Sequence, residues 1–308
     1  MKDIFDMTAC TLCPRECGVD RTKGNFGFCK TANNITCARA SLHQWEEPCL
    51  SGTGGSGTVF FSGCNMGCVF CQNKEISHGG KGFEISTERL CEVFFELRDA
   101  GAHNINLVTA GHFLPQVLNS VKMAKNQNIG IPFVYNSSGY EKVEALKECS
   151  GLIDIYLPDF KYMDENLSKK YSKAPDYPKI AKEAIGEMVR QQPDCVFDDD
   201  GIMQKGVIVR HLMLPEGLSD SKNIIKYLYE TYKDDIYISI MSQYTPVGDL
   251  TNFPELQKRV RTSDYDRLID YAVDIGVENA FIQEGESADE SFIPDFNGEG
   301  IEEKYGDK

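Results

Sequence analysis

The stretch from Thr58 to Asn73 reads TVFFSGCNMGCVFCQN. Val59, Phe60 and Phe61 form a β-branched and aromatic run that reads as a buried strand ending at Ser62-Gly63. Cys64, Cys68 and Cys71 follow at once, in the spacing C-x3-C-x2-C. Three thiolates on one tight loop suit a cubic iron–sulfur cluster, whose four irons usually take four cysteines. The nearest sequence neighbours offer no fourth, so one iron would stay open for a substrate or cofactor. The plainer alternative is that Cys68-Val-Phe-Cys71 is half of a tetrahedral zinc site completed by another cysteine pair.

Outward from this loop, strand and helix signals alternate. Apolar runs predict strands at 58–62, 104–109, 131–135, 152–157, 206–214 and 236–242, and amphipathic patterns predict helices at about 86–100, 114–127, 140–149, 178–190, 219–233 and 255–275. Residues 280–283 read as a closing strand. Such a βαβ series means an α/β fold with a parallel sheet and right-handed crossovers, whose chemistry gathers at the C-terminal ends of the strands.

The polar residues at those ends are therefore the candidates. The second strand runs into Thr109-Ala110-Gly111-His112, and the third into Asn136-Ser137-Ser138-Gly139, which is equally a good turn or helix N-cap. The fourth ends in Asp159-Phe160-Lys161, an acid and a base on the same side of an extended chain, costly to bury unless paired or used. On the fifth, simple alternation sends Arg210 or His211 into the barrel but not both. The sixth ends in Gln243-Tyr244, which suit substrate contact or a rim hydrogen bond. Asp198-Asp199-Asp200-Gly201 reads as a solvated hairpin tip.

The first 50 residues form a separate Cys-rich segment. Cys10, Cys13, Cys17 and Cys29 give C-x2-C-x3-C-x11-C, with Pro14, Gly18, Gly24 and Gly27 as turn-formers. Four sulfurs can close a coordination sphere, and zinc and an auxiliary iron–sulfur cluster fit alike, with zinc the simpler staple for a segment too short for its own core. Cys91 and Cys149 fall in helical patterns as buried apolar residues, while Cys37 and Cys49 are spare candidate ligands. His43, Trp45, Glu46 and Glu47 precede SGTGGSGT, a flexible linker or a place of close backbone approach to the cluster.

With 308 residues, 41% hydrophobic and 26% charged, the chain has the composition of a globular protein. The formal charge of −15 and the lack of a Lys/Arg cluster argue against nucleic acid as a partner. The opening MKDIFDMTACTL lacks the pattern of a signal or transit peptide, and no apolar run approaches membrane-spanning length, so the cytoplasm is the expected location. Twelve cysteines in such a chain read as thiolates and metal ligands in a reduced, anaerobic setting. Glu284 to Lys308 is acidic and poor in aliphatic side chains, which predicts a mobile or loosely docked tail over 285–308.

The C-x3-C-x2-C loop, with Phe70 just before its last cysteine, resembles the signature of the radical S-adenosylmethionine (SAM) superfamily. With CTLCPRECGVDRTKGNFGFC, NINLVT, VYNSSGY, DIYLPDFKY, RHLMLP and QYTP, it resembles the PflX-like group related to pyruvate formate-lyase activating enzymes. The resemblance implies a partial (β/α)6 TIM-like barrel over 51–284, a [4Fe–4S] cluster on Cys64, Cys68 and Cys71, and SAM on its open iron with Phe70 beside the adenine. It implies SAM contacts from Asn136, Ser137, Asp159 and Arg210, and a substrate-side role for Asp159 and Lys161. Where relatives carry a Gly-Gly-Glu segment for the SAM amino group this chain has Thr109 to His112, so Thr109 and His112 are the candidates there. The implied reaction is reductive cleavage of SAM to a 5′-deoxyadenosyl radical that abstracts a hydrogen atom, with flavodoxin or ferredoxin as electron donor. The target is a glycyl radical enzyme or other protein in one reading, and a small molecule in another. A reading from another class is a metal-stapled binding protein without turnover. Many activating enzymes carry extra cysteines after the cluster loop, whereas this chain carries them before it, which argues against transferring their partner specificity.

Overall fold

The structure is a computed structural model that describes residues 3–282 and 294–302. In chain order its elements are β1 (Ile35–His43), α1 (Pro48–Ser51), β2 (Ser56–Phe61), α2 (Lys74–Ser77), β3 (Phe83–Ile85), α3 (Thr87–Asp99), β4 (Ile105–Val108), α4 (Leu114–Asn126), β5 (Phe133–Ser137), α5 (Val143–Lys147), β6 (Ile155–Pro158), α6 (Glu165–Ser172), α7 (Tyr177–Gln191), β7 (Val196–Phe197), β8 (Met203–Leu212), α8 (Leu218–Tyr232), β9 (Tyr237–Met241), α9 (Thr262–Asp274) and β10 (Ala280–Ile282). Local causes are plain in most of them. Ser86 caps α3 by accepting a hydrogen bond from the Arg89 amide, and Leu90, Val93, Phe94 and Leu97 form its buried stripe. Pro115 and Pro178 open α4 and α7, where a missing N–H costs nothing.

Among the described residues the strands form one sheet ordered β10-β9-β8-β6-β5-β4-β2-β1-β3, with β7 on β8. Every pair from β2 to β10 along that path is parallel. Only β1 on β2, β3 on β1 and β7 on β8 are antiparallel. At least one helix spans each parallel crossover, so all the strand C-termini open on one side. This is the expected α/β architecture of a partial TIM-like barrel.

The register sorts the inner face into levels. Thr58, Asn106, Val134 and Ile155 lie side by side, and Phe60, Val108, Asn136 and Leu157 lie one step higher. Asp159 then bridges to Arg210, which is level with Ser239. Val134, Ile155, Leu157 and Ile208 pack with Cys49 and Leu50 of α1. Helix α1 is thus an apolar plug under the barrel, and polar side chains accumulate above it.

Four expectations need correction. The N-terminal segment does not stop at residue 50, because Ile35–His43 is a sheet strand whose Ala40, Ser41 and Leu42 pair with Val59, Thr58 and Gly57. SGTGGSGT is no linker: its last residues are in β2, and a Cβ at Gly57 would fall 2.8 Å from the Asn104 carbonyl oxygen, at the base of the sheet and far from the strand ends. The fifth parallel strand begins at Met203, extended by its antiparallel partner β7, with Asp198–Gly201 as the hairpin tip. Of the tail expected over 285–308, residues 294–302 are docked. The Gly298 amide donates to Ala38 O (3.0 Å), the Ala40 amide to Glu299 O (2.8 Å), Arg39 pairs with Glu299, and Phe296 packs edge-on against Phe60. The apolar residues Phe296 and Ile301, both buried, anchor this otherwise acidic stretch. The rest of the tail lies outside the described residues.

Candidate active site

Strand β2 is buried along its whole length and delivers the chain to Gly63 at φ 87°, a backbone conformation suited to glycine. A Cβ there would fall 2.5 Å from the Cys29 carbonyl oxygen and 2.4 Å from the Thr31 side chain. The N-terminal segment is therefore packed directly against the start of the cysteine loop.

Each of the three loop thiols has its own hydrogen-bonding neighbour. The Met66 amide donates to Cys64 Sγ (3.4 Å), Ser172 Oγ donates to Cys68 Sγ (3.0 Å), and Cys71 Sγ lies 3.3 Å from Ser77 Oγ. Burial first, and then Cys68 and Cys71 as neighbours, push the Cys64 thiol up to about 12. Burial and Cys68 also raise Cys71, with Lys161 acting in the opposite direction. A bound cation reverses that logic and deprotonates coordinating thiols. Among the described residues no three His, Cys, Asp or Glu side chains converge as closely as a single ion requires. A cubane sets its thiolates wider apart than one ion does, and three mutually neighbouring thiols with donors aimed at sulfur fit such a cluster.

Arg15, between Cys13 and Cys17, clamps this loop. Its guanidinium donates to the carbonyls of Asn65 (2.7 Å), Met66 (2.9 Å), Ser172 (3.0 Å) and Lys173 (2.6 Å), and lies 3.9 Å from the Phe28 ring centre. The Cys64 amide donates to Cys29 O (3.2 Å). In the N-terminal segment itself, a Cβ on Gly27 would sit 3.1 Å from Cys17 Sγ and 3.5 Å from Cys29 Sγ. Burial pushes the Cys13 thiol up to about 12, helped by Glu141, Cys29 and Cys17 nearby. Cys10 is buried beside Arg21, whose Nη1 lies 3.9 Å from its sulfur. Cys37 and Cys49, the spare thiols of the sequence, are buried in apolar clusters.

At the strand ends the expected residues meet. Arg210 donates to Asp159 Oδ1 (3.0 Å), Asn136 Oδ1 (2.6 Å) and Glu46 Oε2 (3.3 Å), and Lys161 Nζ donates to Asp159 Oδ2 (2.5 Å). Burial opposes the Asp159 charge, but Lys161 and Arg210 outweigh it and hold the carboxyl below its usual range. Alternation resolves as Arg210 inward and His211 outward: His211 Nδ1 donates to Phe160 O and Nε2 accepts from Ser221 Oγ, both at 2.8 Å. Phe70 is buried edge-on to Tyr171 and Tyr244, and Tyr244 donates to Leu256 O (2.6 Å), a rim hydrogen bond. Thr109 stands at φ 60°, a strained conformation for a threonine, where its amide meets Asn136 O.

Two residues occupy other positions than expected. His112 is buried and donates from Nε2 to Ser62 O (2.7 Å), while its carbonyl accepts from Arg21 (2.6 Å). Burial lowers its pKa to about 3, so the ring is a neutral prop behind the cysteine loop. Ser137 Oγ accepts from the Gly139 amide (3.1 Å), which shapes the turn after β5. Sequence reading missed Glu46 and Glu47 as members of the site. They arrive on the loop beneath the barrel, and the only signal was an acidic pair beside a tryptophan.

Beside Lys161 a cavity of about 290 Å³ opens laterally, lined by Tyr171, His211, Glu216, Asp220 and Glu255. A second of about 230 Å³ shares Leu167, Glu216, Gly217 and Asp220 with it, so the two form one groove leading outward from the strand ends.

Residues 58–198 match the model of the Radical SAM superfamily. Over 278 residues the chain is 27% identical to the uncharacterized protein MJ0674 of Methanocaldococcus jannaschii, covering 88% of this chain and 75% of that one. Similar solved structures, each 14% identical, include methylornithine synthase (TM-score 0.49, 71% of this chain and 60% of that one) and Streptococcus suis SuiB bound to S-adenosylmethionine (0.45, 72% and 48%). A domain of pyruvate-formate lyase-activating enzyme from Bacteroides vulgatus is a third (0.39, 56% and 91%). The chain spans about half the length of SuiB and three-fifths of methylornithine synthase.

Proposed function

Since residues 58–198 match the model of the Radical SAM superfamily, we propose that the chain is an enzyme that abstracts a hydrogen atom from a substrate held at the strand ends. When bound, a [4Fe–4S] cluster and SAM supply the chemistry, a 5′-deoxyadenosyl radical made by one-electron reduction. The observation that carries this reading is the loop of Cys64, Cys68 and Cys71, three neighbouring thiols each with a hydrogen-bonding partner, with Lys161 of the strand ends near Cys68 and Cys71.

The chain's own residues position and exclude. Cys64, Cys68 and Cys71 would hold the cluster, and Phe70 would flank the adenine. Asn136 and Arg210 would meet polar groups of SAM, while Thr109 takes the place of the Gly-Gly-Glu segment of activating enzymes. Lys161, paired with Asp159, lines the lateral groove, so the pair would orient the substrate. Holding the target close matters because a primary carbon radical attacks almost any neighbouring C–H bond. The N-terminal cysteines, which do not converge closely enough for a single zinc ion, would hold an auxiliary iron–sulfur cluster as a staple behind the loop.

The groove that opens at Lys161 favours a polypeptide target, as for an enzyme that installs a glycyl radical on a partner protein, with flavodoxin or ferredoxin as electron donor. A small-molecule substrate is the second reading, favoured by the buried Glu47 and half-buried Glu46 inside the barrel. The test is turnover under anaerobic conditions with SAM, reduced flavodoxin or ferredoxin, and a glycyl radical enzyme grown on deuterated glycine. Deuterium in the 5′-deoxyadenosine supports the protein target. 5′-Deoxyadenosine without deuterium moves the assignment to the second reading, and its absence with every reductant, dithionite included, overturns the proposal.

A further inference from the structure

One group of buried polar side chains is not fully partnered. Glu46 and Glu47 rise from the loop that enters α1, the plug beneath the barrel, and Asn106 faces them from β4. Glu47 is 7% exposed and Asn106 0%. Glu47 Oε2 and both amide atoms of Asn106 make no hydrogen bond of good geometry, although the Asn106 amide lies close enough to Glu46 to stabilise its charge. Buried polar atoms without partners destabilise a fold unless something else meets them.

The charges around them do not balance. Asp159, Glu46 and Glu47 face Arg210 and Lys161, and Lys161 is committed to Asp159 while Arg210 is shared between Asp159 and Glu46. The other ionisable neighbours do not compensate. Arg39 is taken by Glu299 and the Asp295 carbonyl, and burial and the charges of Arg39 and Arg210 keep the His43 ring neutral. Burial raises both Glu46 and Glu47; Asp159 raises Glu46 and Glu46 raises Glu47 further, while Arg210 opposes both shifts and Ser239 steadies Glu47. One carboxyl oxygen of Glu47 and the Asn106 amide are left without a well-formed hydrogen bond at the foot of the strand-end site.

We propose that Glu46, Glu47 and Asn106 form a subsite for a cationic nitrogen of the substrate, a protonated amine or a guanidinium. Such a group donates to Glu47 Oε2 and Asn106 Oδ1 and restores charge balance on the barrel floor. It could belong to a free amine or to a lysine or arginine side chain of a polypeptide. The assignment rests on the barrel interior being the substrate site of a radical SAM enzyme.

The experiment uses the anaerobic, cluster-loaded protein with SAM present, so that the amino group of SAM itself is already accounted for. Butylamine, agmatine and a short arginine-and-glycine peptide are titrated by calorimetry, with butyrate and butanol as controls. The cationic probes bind the wild type, the controls do not, and Glu47→Gln weakens binding about tenfold or more. Agmatine binding without peptide binding assigns the subsite to a small molecule, and the reverse assigns it to a polypeptide. In the probe-free protein, Glu47→Gln raises the melting temperature by roughly 2–4 °C because it removes an acid whose charge burial opposes. Glu230→Gln on the exposed face of α8 does neither. If the wild type binds none of the cationic probes, or Glu47→Gln binds them as well as the wild type does, the proposal falls. Because binding is read apart from SAM cleavage, loss of binding with cleavage intact refutes the subsite alone, and binding without cleavage refutes the radical reading alone.

Discussion

Arg210 and His211 are adjacent on β8 and live in opposite environments. Arg210 joins Asp159, Asn136 and Glu46 in the interior, and each of its three contacts is charged or to an amide oxygen. Arg210→Met should therefore lower stability by about 3–5 kcal/mol, since it leaves buried carboxylates unpaired. Denaturant titration measures this, and a loss under 1 kcal/mol would mean the pair is exposed in solution. His211 is held neutral by burial, its pKa lowered to about 4. Below pH 6.5 the unfolded chain takes up a proton that the folded chain refuses. The stabilisation is thus fully present above pH 6.5 and is lost as pH falls towards 4, about 3 kcal/mol over the window. Melting curves between pH 7.5 and 4 should fall less steeply for His211→Gln than for the wild type. Period-two alternation showed in the sequence that only one of Arg210 and His211 faces the interior, and the family resemblance pointed to Arg210. It could not show that Arg210 has three partners, because those come from β5, β6 and the plug loop.

Among elements, the cysteine loop depends on the N-terminal segment. Arg15 satisfies four carbonyls of Asn65, Met66, Ser172 and Lys173, and the Cys29 carbonyl receives the Cys64 amide. Arg15→Ala should cost about 3 kcal/mol and reduce the iron retained per chain after reconstitution. Arg15→Lys, which keeps the charge but not the fork, should recover only part of either. Iron analysis and denaturant titration check this, and full iron retention by Arg15→Ala would show that the loop holds itself. The sequence showed both cysteine sets but not their contact, which is long-range and carried largely by backbone carbonyls. Strand-end residues were legible for the opposite reason. A parallel sheet gathers every strand terminus on one side, so a polar residue after a strand is in the site by topology. Glu46 and Glu47 reach the same place from below, and no local pattern announces that. The strand β1 was missed because the spread of cysteines drew the segment boundary past it, and α6, ENLSKKYS, because it is short and polar.

For the whole molecule, these links make the N-terminal segment and the barrel one cooperative body, since β1 is a sheet strand and Arg15 reaches the cluster loop. Calorimetry should show a single unfolding transition, and two separated transitions would mean an independent N-terminal unit. The C-terminal stretch adds to that body through Phe296 on Phe60, and Phe296→Ala should lower stability by about 2–4 kcal/mol in the same melt. No helix among the described residues is long and apolar enough to cross a membrane. The proposed chemistry requires Cys64, Cys68 and Cys71 to hold a cluster with one iron open to SAM. The most direct measurement is the electron paramagnetic resonance spectrum of the anaerobically reconstituted, reduced protein with and without SAM, beside a Cys64→Ala, Cys68→Ala, Cys71→Ala variant. A reduced [4Fe–4S] signal that shifts when SAM is added, and is missing from the variant, is the predicted result. A spectrum indifferent to SAM, or one that survives in the variant, would contradict it.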